Sequence, residues 1–265
     1  MTTLAVELSV DSRGPCAIYI ASDSRITWGD SGKRWDAAQK TFISNTSADI
    51  FGYCGSAFVP TQVLNQVARQ IEAGILFDAR ASADERHGRW LNTIKASISN
   101  SSSAQFFDFS ILHGARDGVG IGCTFHLWKS TFTAKSKEWK EKKIPINTEK
   151  SYFVSLDGTG ASHLRTRIKA TDDTQTKSTS RGAFQQFFQS LKDGDDDFSG
   201  GAPQVVGIFR VREPQHFGLV WKDSRYYCGS EVVAGSNFNK ILWFNELFER
   251  ADGRTKKLLK GAQKH

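Results

Sequence analysis

Leu4, Val6, Leu8 and Val10 alternate with smaller or polar residues, and this period of two predicts a half-buried strand at the start of the chain. Asp11 to Pro15 supply turn chemistry, and residues 16–21 then read as an antiparallel return strand. Residues 41–43 and 50–53 predict a second hairpin. Val63, Leu64, Val67, Ile71 and Ile75 recur at helical spacing, with Pro60 tolerable in the opening turn. Ser82 and Glu85 form a capping-box pair ahead of Trp90, Leu91, Ile94 and Ile98, which predicts a second helix. Strand-like segments return at 106–112, 124–128 and 152–155. Helical patterns follow at 161–170 and around Phe184, Phe187, Phe188 and Leu191. Strands are predicted again at 205–211 and 217–221, and a last helix over Ile241, Phe244, Leu247 and Phe248.

Paired helices between hairpins suggest α+β architecture, with two antiparallel sheets stacked face to face and helices outside, a four-layer αββα sandwich. No linker rich in proline or serine and no repeat interrupts the 265 residues. The expectation is one domain over 1–265, with 133–150 as an insertion or long hairpin and 251–265 as a basic tail.

Composition narrows the possibilities. An apolar share of 39% is ordinary for a globular chain. No apolar run approaches the roughly 20 residues that cross a bilayer, and the start lacks the basic and apolar stretches of a signal peptide. A membrane or exported protein is therefore not expected. Cys16, Cys54, Cys123 and Cys228 lie far apart, so neither a disulfide framework nor a cysteine zinc site is indicated, and a cytoplasmic location fits. The histidines are scattered, and no metal or other cofactor is expected. The formal charge of +7 concentrates in 129–150 and in the tail. Solvated charged faces account for it more simply than a nucleic-acid partner does.

Chemistry enters at the first residues. Met1 precedes Thr2, a residue small enough for the methionine to be trimmed. A threonine so exposed carries a hydroxyl and a free amine on adjacent carbons, and the amine can act as base for its own hydroxyl. Its reference pKa near 8 suits neutral pH. Downstream, Ser22-Asp23-Ser24-Arg25 ends the second strand, Lys40 opens the next, and Gly55-Ser56 precedes the first helix. Later come Gly158-Thr159-Gly160 and Asp196-Asp197-Phe198-Ser199-Gly200-Gly201.

Taken in order, these pieces resemble the proteasome β-subunit family, including the HslV-type peptidases that also begin Met-Thr-Thr. By that resemblance Thr2 is the nucleophile, and Asp23 lies in the Asp-Ser-Arg motif whose carboxylate binds the catalytic lysine, Lys40. Gly55 matches the glycine whose amide faces the oxyanion. Asp196 and Ser199 match the Asp-x-x-Ser-Gly-Gly stretch that steadies the nucleophile's amine. Thr159 falls where the family often has serine. Ile26, Thr27, Tyr53 and Ala57 would bound the substrate side chain. The match runs from Thr2 to about Phe209. The first hairpin is several residues longer than the family's, and 133–150 and the tail have no counterpart.

The resemblance implies a threonine endopeptidase, an N-terminal-nucleophile hydrolase acting on polypeptides within a homo-oligomeric ring and served by a separate ATP-driven unfoldase. Thr2 would attack the peptide carbonyl while its amine takes the proton. Lys40 paired with Asp23 would hold that amine neutral, and the Gly55 N–H would receive the oxyanion. Alternatives stay open: an amidohydrolase of small amides, or a non-catalytic scaffold or basic interaction module. The residues have plain readings too, with Asp23 and Arg25 as a turn ion pair, Lys40 as an exposed strand residue and Gly55 as a turn glycine. Asp195 or Asp197 would take the role of Asp196 if the alignment slips by one. Two short motifs fail. Gly29-Asp30-Ser31-Gly32 copies a trypsin-like serine signature but has no preceding histidine. Gly32-Lys33 lacks the glycine and hydroxyl of a phosphate loop.

Overall fold

The computed structural model describes residues 2–29, 32–100, 106–170 and 178–262. Met1, Asp30, Ser31 and the last three residues of the tail, which enter some of the sequence expectations, lie outside the described residues.

Two antiparallel strands open the chain, β1 (Leu4–Asp11) and β2 (Gly14–Ser22). A short ribbon follows from β3 (Ile26–Trp28) and β4 (Lys33–Trp35), then β5 (Thr41–Ile43) and β6 (Asp49–Gly55). After helices α1 (Phe58–Glu72) and α2 (Ala83–Ser99) come β7 (Phe109–Asp117), β8 (Thr124–Thr133), β9 (Glu138–Lys143) and β10 (Tyr152–Asp157). Helices α3 (Ala161–Ala170) and α4 (Ser180–Asp193) lead to β11 (Gln204–Phe209) and β12 (Gln215–His216). The C-terminal strands are β13 (Gly218–Trp221), β14 (Ser224–Tyr227), β15 (Ser230–Glu231), β16 (Trp243–Phe244) and β17 (Arg250–Ala251).

The expected four-layer αββα sandwich needs correction. Among the described residues strand outweighs helix, about 35% to 23%, and lies in four separate sheets with only four helices beside them. One sheet runs β10-β1-β2-β11-β12 and another β5-β6-β7-β8-β9. A third five-stranded sheet, β15-β14-β13-β16-β17, and the β3-β4 ribbon were not anticipated. The third sheet contains a parallel pair, β13 with β16, so the sheets are not all antiparallel. The predicted last helix is absent because Asn245 competes for the backbone. Its side-chain oxygen accepts the N–H groups of Leu247 and Glu249, and Phe248 turns to a φ of +54°. Asparagine favours such local turns over helix interiors.

Three apolar clusters hold these elements. Leu4, Val6 and Leu8 of β1 and Ile18 and Ile20 of β2 meet Ile50, Leu112 and Leu127 of the β6–β8 strands. Alternate residues of β1 and β2, Ala5, Ala17, Tyr19 and Ala21, face the other way toward Phe184, Phe187 and Phe188 of α4 and Phe217, Leu219 and Phe248 of the C-terminal region. The period of two thus feeds both cores. The apolar stripes of α1 and α2 bury Val63, Leu64, Trp90 and Ile94 against Phe51, Tyr53 and Ile111. Ser82 closes the anticipated capping box with Glu85. Arg86 fastens α2 further, donating to buried Asp49 at 2.9 Å and to the Arg116 carbonyl at 3.0 Å. Residues 133–150 extend the β8–β9 hairpin, in which β9 pairs antiparallel with β8 and forms the sheet edge. Among the described residues no helix is long and apolar enough to cross a membrane.

Candidate active site

Thr2 and Thr3 lead straight into β1, and Leu4 pairs with Ser22 on one side and Asp157 on the other. This places the residues after β2 and after β10 beside Thr2. Asp23 follows β2, and Lys40 sits just before β5. The Lys40 Nζ donates to Thr2 Oγ1 at 2.8 Å and to Asp23 Oδ1 at 2.9 Å. All three residues are 1% exposed or less. Asp23 is amply supported, since its carboxylate also accepts the backbone N–H groups of Thr3 at 3.2 Å, Arg25 at 3.0 Å and Gly200 at 3.0 Å. A buried ion pair persists only when its remaining lone pairs are satisfied in this way. The Arg25 guanidinium does not pair with Asp23. It grips Asp36 through two 2.8 Å bonds and reaches the carbonyls of Asp197 and Ser199. Those bonds hold the Asp36 carboxyl below its usual range.

A second chain of hydrogen bonds begins at the Thr2 nitrogen, which is an amide here because Met1 precedes it. This N–H donates to Thr159 Oγ1 at 3.2 Å, and the Thr159 hydroxyl donates to Asp196 Oδ2 at 2.6 Å. Ser199 Oγ donates to the same Asp196 oxygen at 2.7 Å and accepts from Thr3 Oγ1 at 2.8 Å. Asp195 and Asp197 take no part through their carboxylates. Asp195 is bound bidentately by Arg167, and Asp197 contributes its carbonyl to Arg25. Thr2, Asp23, Lys40, Thr159, Asp196 and Ser199, scattered along the sequence, therefore belong to one hydrogen-bonded cluster.

Gly158 explains how close these strands approach. Its φ is +83°, and a Cβ placed there would lie 1.9 Å from the Thr2 carbonyl oxygen. Cys54 Cβ lies 3.5 Å from the same position, and Gly55 is the residue after it. Gly55 adopts a φ of +93° and has no room for a side chain, with Asp108 O 2.6 Å from the ideal Cβ position. Helix α1 starts three residues later with no side-chain cap, which leaves its first amides without a side-chain acceptor. Chemically, an ammonium group against a hydroxyl oxygen favours negative charge on that oxygen. A hydroxyl–carboxylate relay at the neighbouring nitrogen orients it as a donor.

No family model matches the chain, and no curated protein matches it. Function is therefore inferred from the geometry of the site.

The expected substrate-contact residues are placed less simply. Tyr53 is fully buried in the α1–α2 core, its hydroxyl bonded with Thr61 Oγ1 at 3.0 Å and its ring stacked with Phe42. Burial pushes its pKa up to about 12. Ala57 is the N-cap of α1, and Ile26 and Thr27 lie half-buried on β3 opposite Trp35 and Arg34. The Tyr53 N–H donates to the Lys40 carbonyl at 3.3 Å, but no side chain of the four joins the hydrogen-bonded cluster. Among the described residues no group of His, Cys, Asp and Glu is arranged to hold a metal ion.

Two participants escaped the sequence. Thr3 closes the relay at Ser199, although only its position beside Thr2 hinted at it. Gln204, the first residue of β11, accepts from the Lys40 N–H at 3.0 Å and donates to the carbonyls of Asp23 at 3.1 Å and Ala38 at 2.7 Å. A glutamine after Ala-Pro carries no signal of that bracing role.

Proposed function

We propose that the protein is a threonine peptidase whose nucleophile is Thr2, freed at its nitrogen by removal of Met1 and of anything preceding it. The observation that carries this reading is the Lys40 ammonium, held by Asp23 and directed at Thr2 Oγ1 from 2.8 Å. With a free amine, Thr2 attacks a peptide carbonyl through Oγ1 while the amine accepts the hydroxyl proton. Lys40 stabilises the alkoxide as it forms. The Thr159–Asp196–Ser199 relay orients the amine, and the Gly55 N–H receives the oxyanion, a contribution typically worth about 100- to 1,000-fold in rate. Water then hydrolyses the acyl-threonine with the same amine as base. By the resemblance to the proteasome β-subunit family, the substrate is polypeptide, the working form a ring of identical subunits, and delivery the task of a separate ATP-driven unfoldase.

One observation favours a second reading. Thr2 is 1% exposed, as suits a non-catalytic scaffold in which Lys40 and Asp23 simply anchor the first strand. Intact-mass measurement separates the two. The native protein is treated with a peptide epoxyketone, which needs both the threonine hydroxyl and the free amine to form its ring adduct, beside Thr2→Ala. Loss of Met1 with an adduct absent from the variant supports the peptidase. Retention of Met1 in native material leaves the scaffold.

A further inference from the structure

A second basic region lies beyond the catalytic cluster. A cleft of about 830 Å³ opens between the β8–β9 hairpin, β10, α3 and α4. Lys129, Lys140, Lys142, Lys150, Arg165 and Lys169 line it, against one acidic residue among the described residues, Asp157, which is paired with Lys129. Among the described residues no carboxylate lies within ion-pair distance of Lys140, Lys142, Lys150 or Lys169. Lys129 and Lys142 stand directly opposite each other across β8 and β9, with Lys140 opposite Thr131 next to them. Like charges so placed repel, and an anionic occupant would offset the repulsion.

The wall of this cleft is a sheet edge. β10 pairs with β1 on one side, and among the described residues no strand pairs with it on the other. Every residue of β10 lines the cleft, and residues 152–156 are only half-buried. Such an edge offers backbone N–H and C=O groups to an added extended chain, apart from the Leu156 carbonyl, which accepts from Arg165 Nη2 at 2.6 Å. β10 ends at Asp157, and Gly158 abuts the Thr2 carbonyl. A chain lying along the edge is carried toward the nucleophile.

We propose that this cleft binds acidic polypeptide segments in extended form, pairing with the β10 edge and neutralised by the lysines, so that acidic chains are the preferred substrates. The link to substrate choice rests on the peptidase reading, whereas the binding itself does not. Nucleic acid would satisfy the lysines but leave the β10 edge unused.

Calorimetry tests the binding apart from catalysis. The full chain is titrated with an unlabelled peptide of alternating Glu and Ala, the same peptide N-methylated at alternate amides, a Lys-Ala peptide and a single-stranded oligonucleotide. The acidic peptide is expected to bind, to weaken with added salt, and to lose about tenfold in affinity in Lys140→Glu/Lys142→Glu/Lys150→Glu, whose side chains are exposed. N-methylation is expected to weaken it comparably. Equal binding of the Lys-Ala peptide, or an unchanged affinity in the triple variant, overturns the proposal. Oligonucleotide binding with indifference to N-methylation replaces the occupant with nucleic acid. Thr2→Ala is expected to bind like wild type. Acidic-peptide binding without cleavage by wild type that forms the epoxyketone adduct overturns the substrate preference and leaves the binding standing, whereas absence of the adduct overturns the nucleophile.

Discussion

Lys40 is useful to the protein only as half of a pair. Lys40→Met leaves the Asp23 carboxylate buried without its cation and is expected to cost about 3–5 kcal/mol in chemical denaturation. Adding Asp23→Asn removes the buried charge but sets an amide NH2 against a backbone N–H that the carboxylate accepts, so it should recover only part of that stability and none of the proposed peptidase activity. Thr2→Ala is expected to abolish turnover of a fluorogenic peptide while leaving the denaturation midpoint nearly unchanged. The individual members of this cluster were legible because each stood in or beside a short stretch at an element boundary: Thr2 before the first predicted strand, Asp23 after the second, Lys40 at the start of the next, Thr159 after the strand at 152–155, and Asp196 and Ser199 after a predicted helix. Their bracing was not. Gln204 and Thr3 act through geometry that only the folded sheets create, and neither residue type is unusual where it stands.

Glu7 shows a buried group that no pattern announced. It is 1% exposed, with Oε1 lacking a partner and Oε2 accepting from Ser9 at 3.2 Å. Burial raises its pKa from 4.5 to about 8. The folded chain therefore keeps the proton while the unfolded chain releases it near 4.5. The stability is full below that pH, falls by up to about 1.4 kcal/mol per pH unit as pH rises, and levels off above about 8. Glu7→Gln is expected to flatten that slope, as read from denaturation midpoints across the same interval.

Strands and helices were recovered wherever the apolar period was sustained, as in β1, β2, α1, α2 and α4. The period failed near the C-terminus, where aromatic side chains at helical spacing belong to short strands and a turn. Periodicity cannot distinguish those outcomes when an asparagine redirects the backbone, and strands two residues long leave no pattern at all. The turn between β10 and α3 gives a sharper test of how elements fit. A Cβ at Gly160 would lie 1.8 Å from Thr3 Oγ1, a side-chain atom, whereas one at Gly158 would strike the Thr2 backbone. Gly160→Ala should therefore be partly rescued by Thr3→Ala, and Gly158→Ala should not. A double-mutant cycle in denaturant measures the difference.

The C-terminal sheet is bound into the rest of the molecule. Phe248 meets Phe184 with ring centroids 4.1 Å apart and Tyr19 at 6.2 Å, joining the end of the chain to β2 and α4. Phe248→Ala is expected to lower stability by about 3–5 kcal/mol within one cooperative unfolding transition. Separate transitions for the two parts would contradict that coupling. The same tightness sets a timetable. The Thr2 amide is tied to Thr159 and its residue is almost wholly enclosed, so a soluble aminopeptidase meets the bond before Thr2 only while the chain is still emerging or open. On the peptidase reading, exposure of the Thr2 amine thus belongs to the time before this enclosure closes, and a chain that folds with Met1 in place stays silent.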